Sequence, residues 1–398
     1  MIPFSPPRID DKIVAEVAAA LRSGWITTGP RTKRFEEMLT AYSGAANVLC
    51  VSSNSAGMEL MLRWYGVGPG DEVIVPAYTY CATANVVVHC GATPVMVDVR
   101  EDFNIDVEAV RRALTPRTKV IMPVDLAGFP CDYDALNALV REPEVRRMFS
   151  ASTEEQRTLG RILILEDAAH SLGARYRGKH IGSTADIVVF SFHAVKNLTT
   201  AEGGAICLNL PVPFDNAEVY KKLRTKSLHG QSKDALAKTQ IGNWRYDVTE
   251  AGFKCNMPDV LAAIGLVELE RYDAETLPRR KAIFDAYTAA FSQHDIFQIP
   301  TYETAEKTSS YHVYPLRIKG ITEQQRDEIM QCIFEQEVAV NVHFIPLPML
   351  TAYREQGYRI SDYPVTYDNY SREISLPVYF DLTDEQVRQV IRAVLNAV

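Results

Sequence analysis

Along the first half of the chain, hydrophobic residues fall into short continuous blocks, and the stretches between them have helical spacing. From Asp11 to Ser23, Ile13, Val14, Val17 and Leu21 recur at that spacing, and Gly24 follows as a stop. The blocks NVLCVSS (47–53), EVIVP (72–76), PVMVDV (94–99), KVIMPVD (119–125), ILILED (162–167), DIVVFSF (186–192) and AICL (205–208) read as strands. Helices are expected over Ser55–Tyr65 and near 80–90. Blocks that are apolar on both faces and alternate with helices imply a largely parallel sheet covered on both sides. The fold class is therefore α/β.

The last third has a different pattern. Helical spacing runs from Pro258 to about Phe291 and predicts one long helix. A strand YHVYPLRI (311–318), a helix near 322–336, a strand AVNVHF (339–344) and a helix after Thr383 follow. We expect a large domain over 1–270 and a smaller C-terminal α+β domain over 271–398, joined within the long helix. The stretch 146–160 is polar, lacks a clear period and reads as disordered.

Composition narrows the function. The 398 residues are 47% hydrophobic and 23% charged, with a net charge of −8. No basic stripe suits nucleic acid, and no apolar run is long enough for a membrane span. The N-terminus MIPFSPPRIDD has no basic region followed by an apolar one, so no signal peptide is expected. The seven cysteines are scattered and form no C-x-x-C pair. No metal site is expected, and buried reduced thiols point to the cytoplasm.

Four segments at predicted strand ends could carry chemistry. Asp167 closes the ILILED strand in ILILEDAAH, where an acid could serve as a helix cap or face a cationic ring. Lys196 follows the DIVVFSF strand in SFHAVKNLTTAEGG, where desolvation would lower its pKa and free its nucleophile. Ser52-Ser53-Asn54-Ser55-Ala56-Gly57 lies between strand and helix, a start that can cap itself or hold an anion. It lacks the Gly-Lys pair of a Walker loop, and Gly66-Val67-Gly68-Pro69-Gly70 precedes a strand where a dinucleotide fingerprint would follow one. Pro76-Ala77-Tyr78-Thr79-Tyr80-Cys81-Ala82-Thr83 again follows a strand and opens a helix; it could present an aromatic face to a planar ring, although Tyr78 reads more simply as core. A phosphate site, a stacking aromatic, an acid and a lysine together make the inventory that pyridoxal 5′-phosphate (PLP) needs.

These residues resemble the DegT/DnrJ/EryC1/StrS family of PLP-dependent nucleotide-sugar aminotransferases. The likeness runs from SGWITTGPRTKRFEE (23–37) through VSSNSAGMEL, EDAAHSLGA and SFHAVKNLTTAEGG to GFKCNMPDVLAAIGL (252–266), VNVHFIPL (340–347) and ISLPVYFDLTDEQ (374–386). It implies a fold-type I, aspartate aminotransferase-like architecture. By that resemblance Lys196 anchors PLP as a Schiff base and is catalytic. Asp167 faces the pyridine nitrogen, His170 the phenolic oxygen, and Tyr80 stacks on the ring. Ser55, Ala56 and Ser191 hold the phosphate. Lys254 and Asn256 stand where the family commonly has Asn and Arg, in a segment that completes the partner's site in a homodimer.

The SFHAVKNLTTAEGG loop is closer to enzymes that aminate C4 of a nucleotide sugar than to C3 enzymes. The resemblance implies transfer from L-glutamate, with pyridoxamine phosphate (PMP) as intermediate, to a UDP- or dTDP-linked 4-keto-6-deoxyhexose for surface polysaccharide or glycoconjugate synthesis. A C3 sugar aminotransferase and a cyclitol or amino-shikimate-type aminotransferase are the alternatives. Dehydratases of the family typically carry histidine in place of the lysine, so Lys196 argues against that activity. A complete Lys/Asp/Ser set argues against a non-catalytic sensor. The late motif His343-Phe344-Ile345-Pro346-Leu347-Pro348 lacks the family's usual second histidine.

Overall fold

The computed structural model describes residues 1–232 and 245–398. Its centre is a seven-stranded sheet ordered Asn47–Val51, Gly204–Leu208, Ile187–Ser191, Leu163–Ala168, Thr118–Ile121, Glu72–Pro76, Thr93–Val97. The last five in that order are mutually parallel, whereas Gly204–Leu208 runs antiparallel to both its neighbours. Strand residues alternate between two buried faces. Val73, Val75, Val120 and Leu163 join the core on one side, and Ile74, Ile121 and Ile164 the core on the other. This two-sided burial is why the strands read as unbroken apolar blocks. Each such side chain contributes roughly 1.5–3 kcal/mol on burial.

The strand directions decide where a site can form. Asp167 lies near the carboxyl end of Leu163–Ala168, and Ser191 ends its own strand. Gly204 starts the antiparallel strand and pairs with both Ser191 and Val51, so it shares that edge. The helix Asn54–Trp64 begins beside it, capped by the Ser53 hydroxyl, which accepts from Ala56 N at 3.0 Å. Only glycine fits at 204, because a Cβ there would lie 2.6 Å from Asn54 N.

A separate core gathers helices Leu277–Phe291, Glu323–Glu335 and Asp384–Ala397 around an antiparallel sheet of Phe297–Gln298, Tyr314–Ile318 and Glu373–Leu376. Thr322 with Gln325, and Thr383 with Gln386, form capping boxes at two of these helices. Ile2 is buried in this core and bridges Val338, so the N-terminus packs with the C-terminal third. No helix among the described residues is long and apolar enough to cross a membrane.

Four expectations need correction. The predicted helix from Pro258 to Phe291 is two helices, Asp259–Glu270 and Leu277–Phe291, separated by a π-helical turn at Tyr272–Thr276. Pro278 is the reason: it has no N–H to continue a ladder and suits a first turn. The stretch 146–160 is ordered, with Glu154–Leu159 helical between the Thr153 cap and a left-handed Gly160. Buried Gln156 and Thr153 both donate to Tyr65 O, which ties this polar segment down. The strand expected over 339–344 reduces to a bridge between Asn341 and Ser375. There, side chains intercept the backbone donors, as Val342 N bonds Asn341 Oδ1 and His343 N bonds Glu373 Oε2. The strand expected from Tyr311 begins only at Tyr314, because Tyr311 takes a left-handed φ of 57°.

Candidate active site

The edge formed by the strand ends encloses a cavity of about 320 Å³. Ser55, Tyr80, Asp167, His170, Ser191 and Lys196 all line it, so residues far apart in sequence converge as expected. Ala56 does not; its N–H is taken by Ser53 Oγ, and it borders a smaller hollow with Glu59 and Phe253. Lys254 and Asn256 lie outside the cavity as well. Lys254 Nζ donates to Asn256 Oδ1 at 2.6 Å, and Asn256 Nδ2 donates to Thr28 Oγ1. A cavity of about 920 Å³ elsewhere in the molecule contains none of these residues.

Asp167 is the most constrained group. It is buried, and Oδ1 accepts from Asn54 Nδ2 at 3.1 Å and Ala169 N at 3.2 Å. Oδ2 accepts from Thr83 Oγ1 at 2.8 Å. Burial still raises its pKa, partly offset first by Thr83 and then by Ala169, the Lys196 charge and Asn54. A carboxylate held this way gains from a cation placed beside it.

Lys196 sits on the turn after Ile187–Ser191, with its N–H on His193 O. It is half-buried, and desolvation pulls its pKa down to about 8 while Asp167 opposes the shift. Near neutral pH a usable fraction of the amine is therefore unprotonated.

His170 is buried, and Ala127 N donates to its Nδ1 at 3.2 Å. Desolvation, then the Lys196 charge, keep the ring neutral, with its pKa well below the usual value. With Nδ1 accepting, the ring proton must sit on Nε2. Tyr80 is 58% exposed at the mouth, with its ring 5.4 Å from that of Phe344. Phe344 in turn lies 5.8 Å from His170.

Asn54, Thr83 and His343 lie in segments the sequence singled out, but without the roles seen here: Asn54 and Thr83 bond Asp167, and His343 lines the cavity; His312 was not singled out at all. The His312 ring lies 4.2 Å from that of His170, tilted by 37°, and its Nδ1 donates to Asn197 Oδ1 at 2.8 Å. His343 lines the cavity, bonds Ser375 Oγ through Nδ1 at 2.9 Å, and is neutral, its pKa pushed by burial to about 3. A histidine inside an otherwise apolar block, as in YHVYPLRI, is the one signal that could have flagged His312.

Residues 7–395 match the model of the DegT/DnrJ/EryC1/StrS aminotransferase family. The chain belongs to this family. Among similar DegT/DnrJ/EryC1/StrS structures is Spr1654 of Streptococcus pneumoniae, described as a sugar aminotransferase. Its PMP form is 46% identical, with a TM-score of 0.96 over 100% of this chain and 99% of that one. Spr1654 also exists in a PLP form, and PLP is the cofactor of this fold-type I family. The spore coat polysaccharide biosynthesis protein SpsC of Bacillus subtilis is 36% identical, over 100% of this chain and 97% of its own. PseC of Helicobacter pylori, an aminotransferase involved in the biosynthesis of pseudoaminic acid, is 26% identical, with a TM-score of 0.86 over 100% and 98% of the two chains.

Proposed function

We propose that this protein moves an amino group from L-glutamate to C4 of a UDP- or dTDP-linked 4-keto-6-deoxyhexose, in the cytoplasm, for polysaccharide or glycoconjugate synthesis. The observation that carries an aminotransferase reading is the pairing of a lysine of pKa about 8 with a buried aspartate across one cavity. The sugar substrate is supported by SpsC and PseC, and C4 by the SFHAVKNLTTAEGG loop.

The residues suit PLP. The Asn54 and Ser55 N–H groups, at the start of a helix, meet no acceptor among the described residues, and the Ser55 and Ser191 hydroxyls lie in the same cavity. That set would hold a phosphate. Asp167 would stabilise a protonated ring nitrogen, the Nε2–H of His170 would donate to the ring oxygen, and Tyr80 would cover one face. Bound there, PLP supplies a cationic ring that takes up the electrons of a breaking Cα–H bond.

The chain's own groups do the rest. Lys196 Nζ takes the proton from the amino acid's α-carbon and later returns one to the sugar carbon being aminated. Asn54, Thr83 and Ala169 donate to Asp167 and oppose the upward pull of burial on its pKa, which favours its carboxylate beside a cationic ring. Lys254 and Asn256, facing away from their own cavity, would reach the neighbouring cofactor phosphate in a homodimer.

The test is a substrate screen with PLP-loaded enzyme. UDP- and dTDP-linked 4-keto-6-deoxy sugars are offered with L-glutamate, and release of 2-oxoglutarate is measured. Turnover is expected with at least one of them. Turnover confined to 3-keto sugars or cyclitol ketones would overturn the C4 assignment.

A further inference from the structure

The cavity of about 920 Å³ lies between the loop after Thr93–Val97, the turn Leu126–Gly128, and the segment 298–317. Arg317 lines it and is only 3% exposed. Its Nη1 donates to Asn369 Oδ1, and its guanidinium lies 4.7 Å from the centre of the Phe103 ring. Its Nε is buried without a partner. Among the described residues Arg317 makes no ion pair: Asp368 pairs with Arg372, and Glu373, its cross-strand neighbour, accepts from Ser375 Oγ and His343 N. Burial, then the Arg372 charge, pull its pKa down to about 10, against a partial pull from Glu101 and Asp368.

Two more cations line the same space without ion pairs among the described residues. Lys307 lies 5.3 Å above the centre of the Phe129 ring, and Arg100 is exposed at the rim. The nearby acids are mostly engaged. Asp102 accepts from Asn104 N, and Asp106 caps Glu108 and pairs with Arg112. Glu101 and Asp102 line the same space without ion pairs among the described residues, against the three cations.

We propose that this cavity is a second binding site, for an organic phosphate, with Arg317, Lys307 and Arg100 holding the anion. A buried guanidinium without a carboxylate is costly, and an external anion would relieve it. The fork of an arginine suits phosphate oxygens, and Phe129, Phe284 and Tyr302 offer an apolar wall to the carbon part. The volume is within the usual range, about 300–1,000 Å³, for small-molecule sites.

The site would report to the catalytic cavity. Ala127 forms part of its wall, and the Ala127 N–H is the group that fixes the His170 tautomer. Ser309 also lines it, next to Ser310, whose hydroxyl donates to His170 O. Occupancy therefore bears on both contacts that set His170.

The experiment titrates pyrophosphate into PLP-loaded, full-length enzyme by calorimetry, with the cofactor's own phosphate filling the cofactor's anion site. Saturable binding is expected. Combined Arg100→Ala and Lys307→Ala should weaken it by about tenfold or more, since both groups are near the surface and the fold should persist. Arg317→Met, if it folds, should abolish it, while Lys254→Ala should leave it unchanged. The absence of saturable binding overturns the inference. So does binding that survives the double substitution, or binding lost through Lys254→Ala, which would place the anion at the catalytic site. A nucleotide-sugar substrate brings its own diphosphate to the catalytic cavity, so the Arg100→Ala, Lys307→Ala pair, and not saturable binding alone, assigns the anion to this second cavity, whichever ketone is aminated.

Discussion

At the scale of single residues, the proposed chemistry depends on two opposed shifts. Desolvation lowers Lys196 to about 8 from an ordinary 10.5, and it raises Asp167. Below that value the lysine is mostly protonated and cannot attack. The initial rate at which apoprotein takes up PLP should rise about tenfold per pH unit up to roughly 8 and then level off. Stopped-flow absorbance measures this, and a rate that keeps climbing towards pH 10 would show an unperturbed lysine. Asp167→Asn keeps the contacts to Thr83 and Asn54 plausible in shape but removes the charge. Activity should fall by about two to three orders of magnitude. Borohydride should still fix PLP to this variant and should fail to do so with Lys196→Ala. Both residues were legible in the sequence because each stands at or just beyond a strand end, inside a distinctive motif. Their supports were not. Asn54 and Thr83 meet Asp167 only across folded distances of 113 and 84 residues, and no local pattern encodes that meeting.

At the scale of elements, the sheet was readable and the joints were not. Two-sided burial writes itself as unbroken apolar blocks, so the seven central strands are each found within a residue or a few of expectation. The direction of Gly204–Leu208 was hidden, since a fully buried strand looks the same either way. The long helix failed at Pro278, where periodicity outweighed a visible breaker. The sharpest element-level constraint is the close approach of Gly204 to the start of Asn54–Trp64. Gly204→Ala must push that helix start away, because a Cβ would come within 2.6 Å of Asn54 N. Overpacking of this kind typically costs about 1–3 kcal/mol. PLP affinity should drop by about tenfold or more as the phosphate site moves, while the apoprotein keeps a cooperative thermal transition. Unchanged cofactor affinity, read by equilibrium dialysis, would mean that the helix start does not hold the phosphate.

At the scale of the whole molecule, the proposed shared site can be tested, because two of its residues lie outside the cavity of their own chain. Lys254 and Asn256 bond to each other and to Thr28, away from their own Lys196 cavity. If they serve a partner's cofactor, the damage done by their loss must appear in the other subunit. Lys196→Ala and a Lys254→Ala, Asn256→Ala double variant should each be nearly inactive alone as homodimers. Mixing them under conditions that exchange subunits places both lesions at one of the two sites in each heterodimer. The remaining site then has an intact Lys196 and an intact Lys254–Asn256 pair from its neighbour. Half of the dimers are mixed at equilibrium, and each has one working site, so about a quarter of wild-type activity should return. Size-exclusion chromatography confirms the dimer, and the recovered rate counts the repaired sites. If activity stays at the level of the parents despite demonstrated exchange, the pair acts within its own chain. The shared-site arrangement would then be wrong even though Lys196 and Asp167 keep their roles.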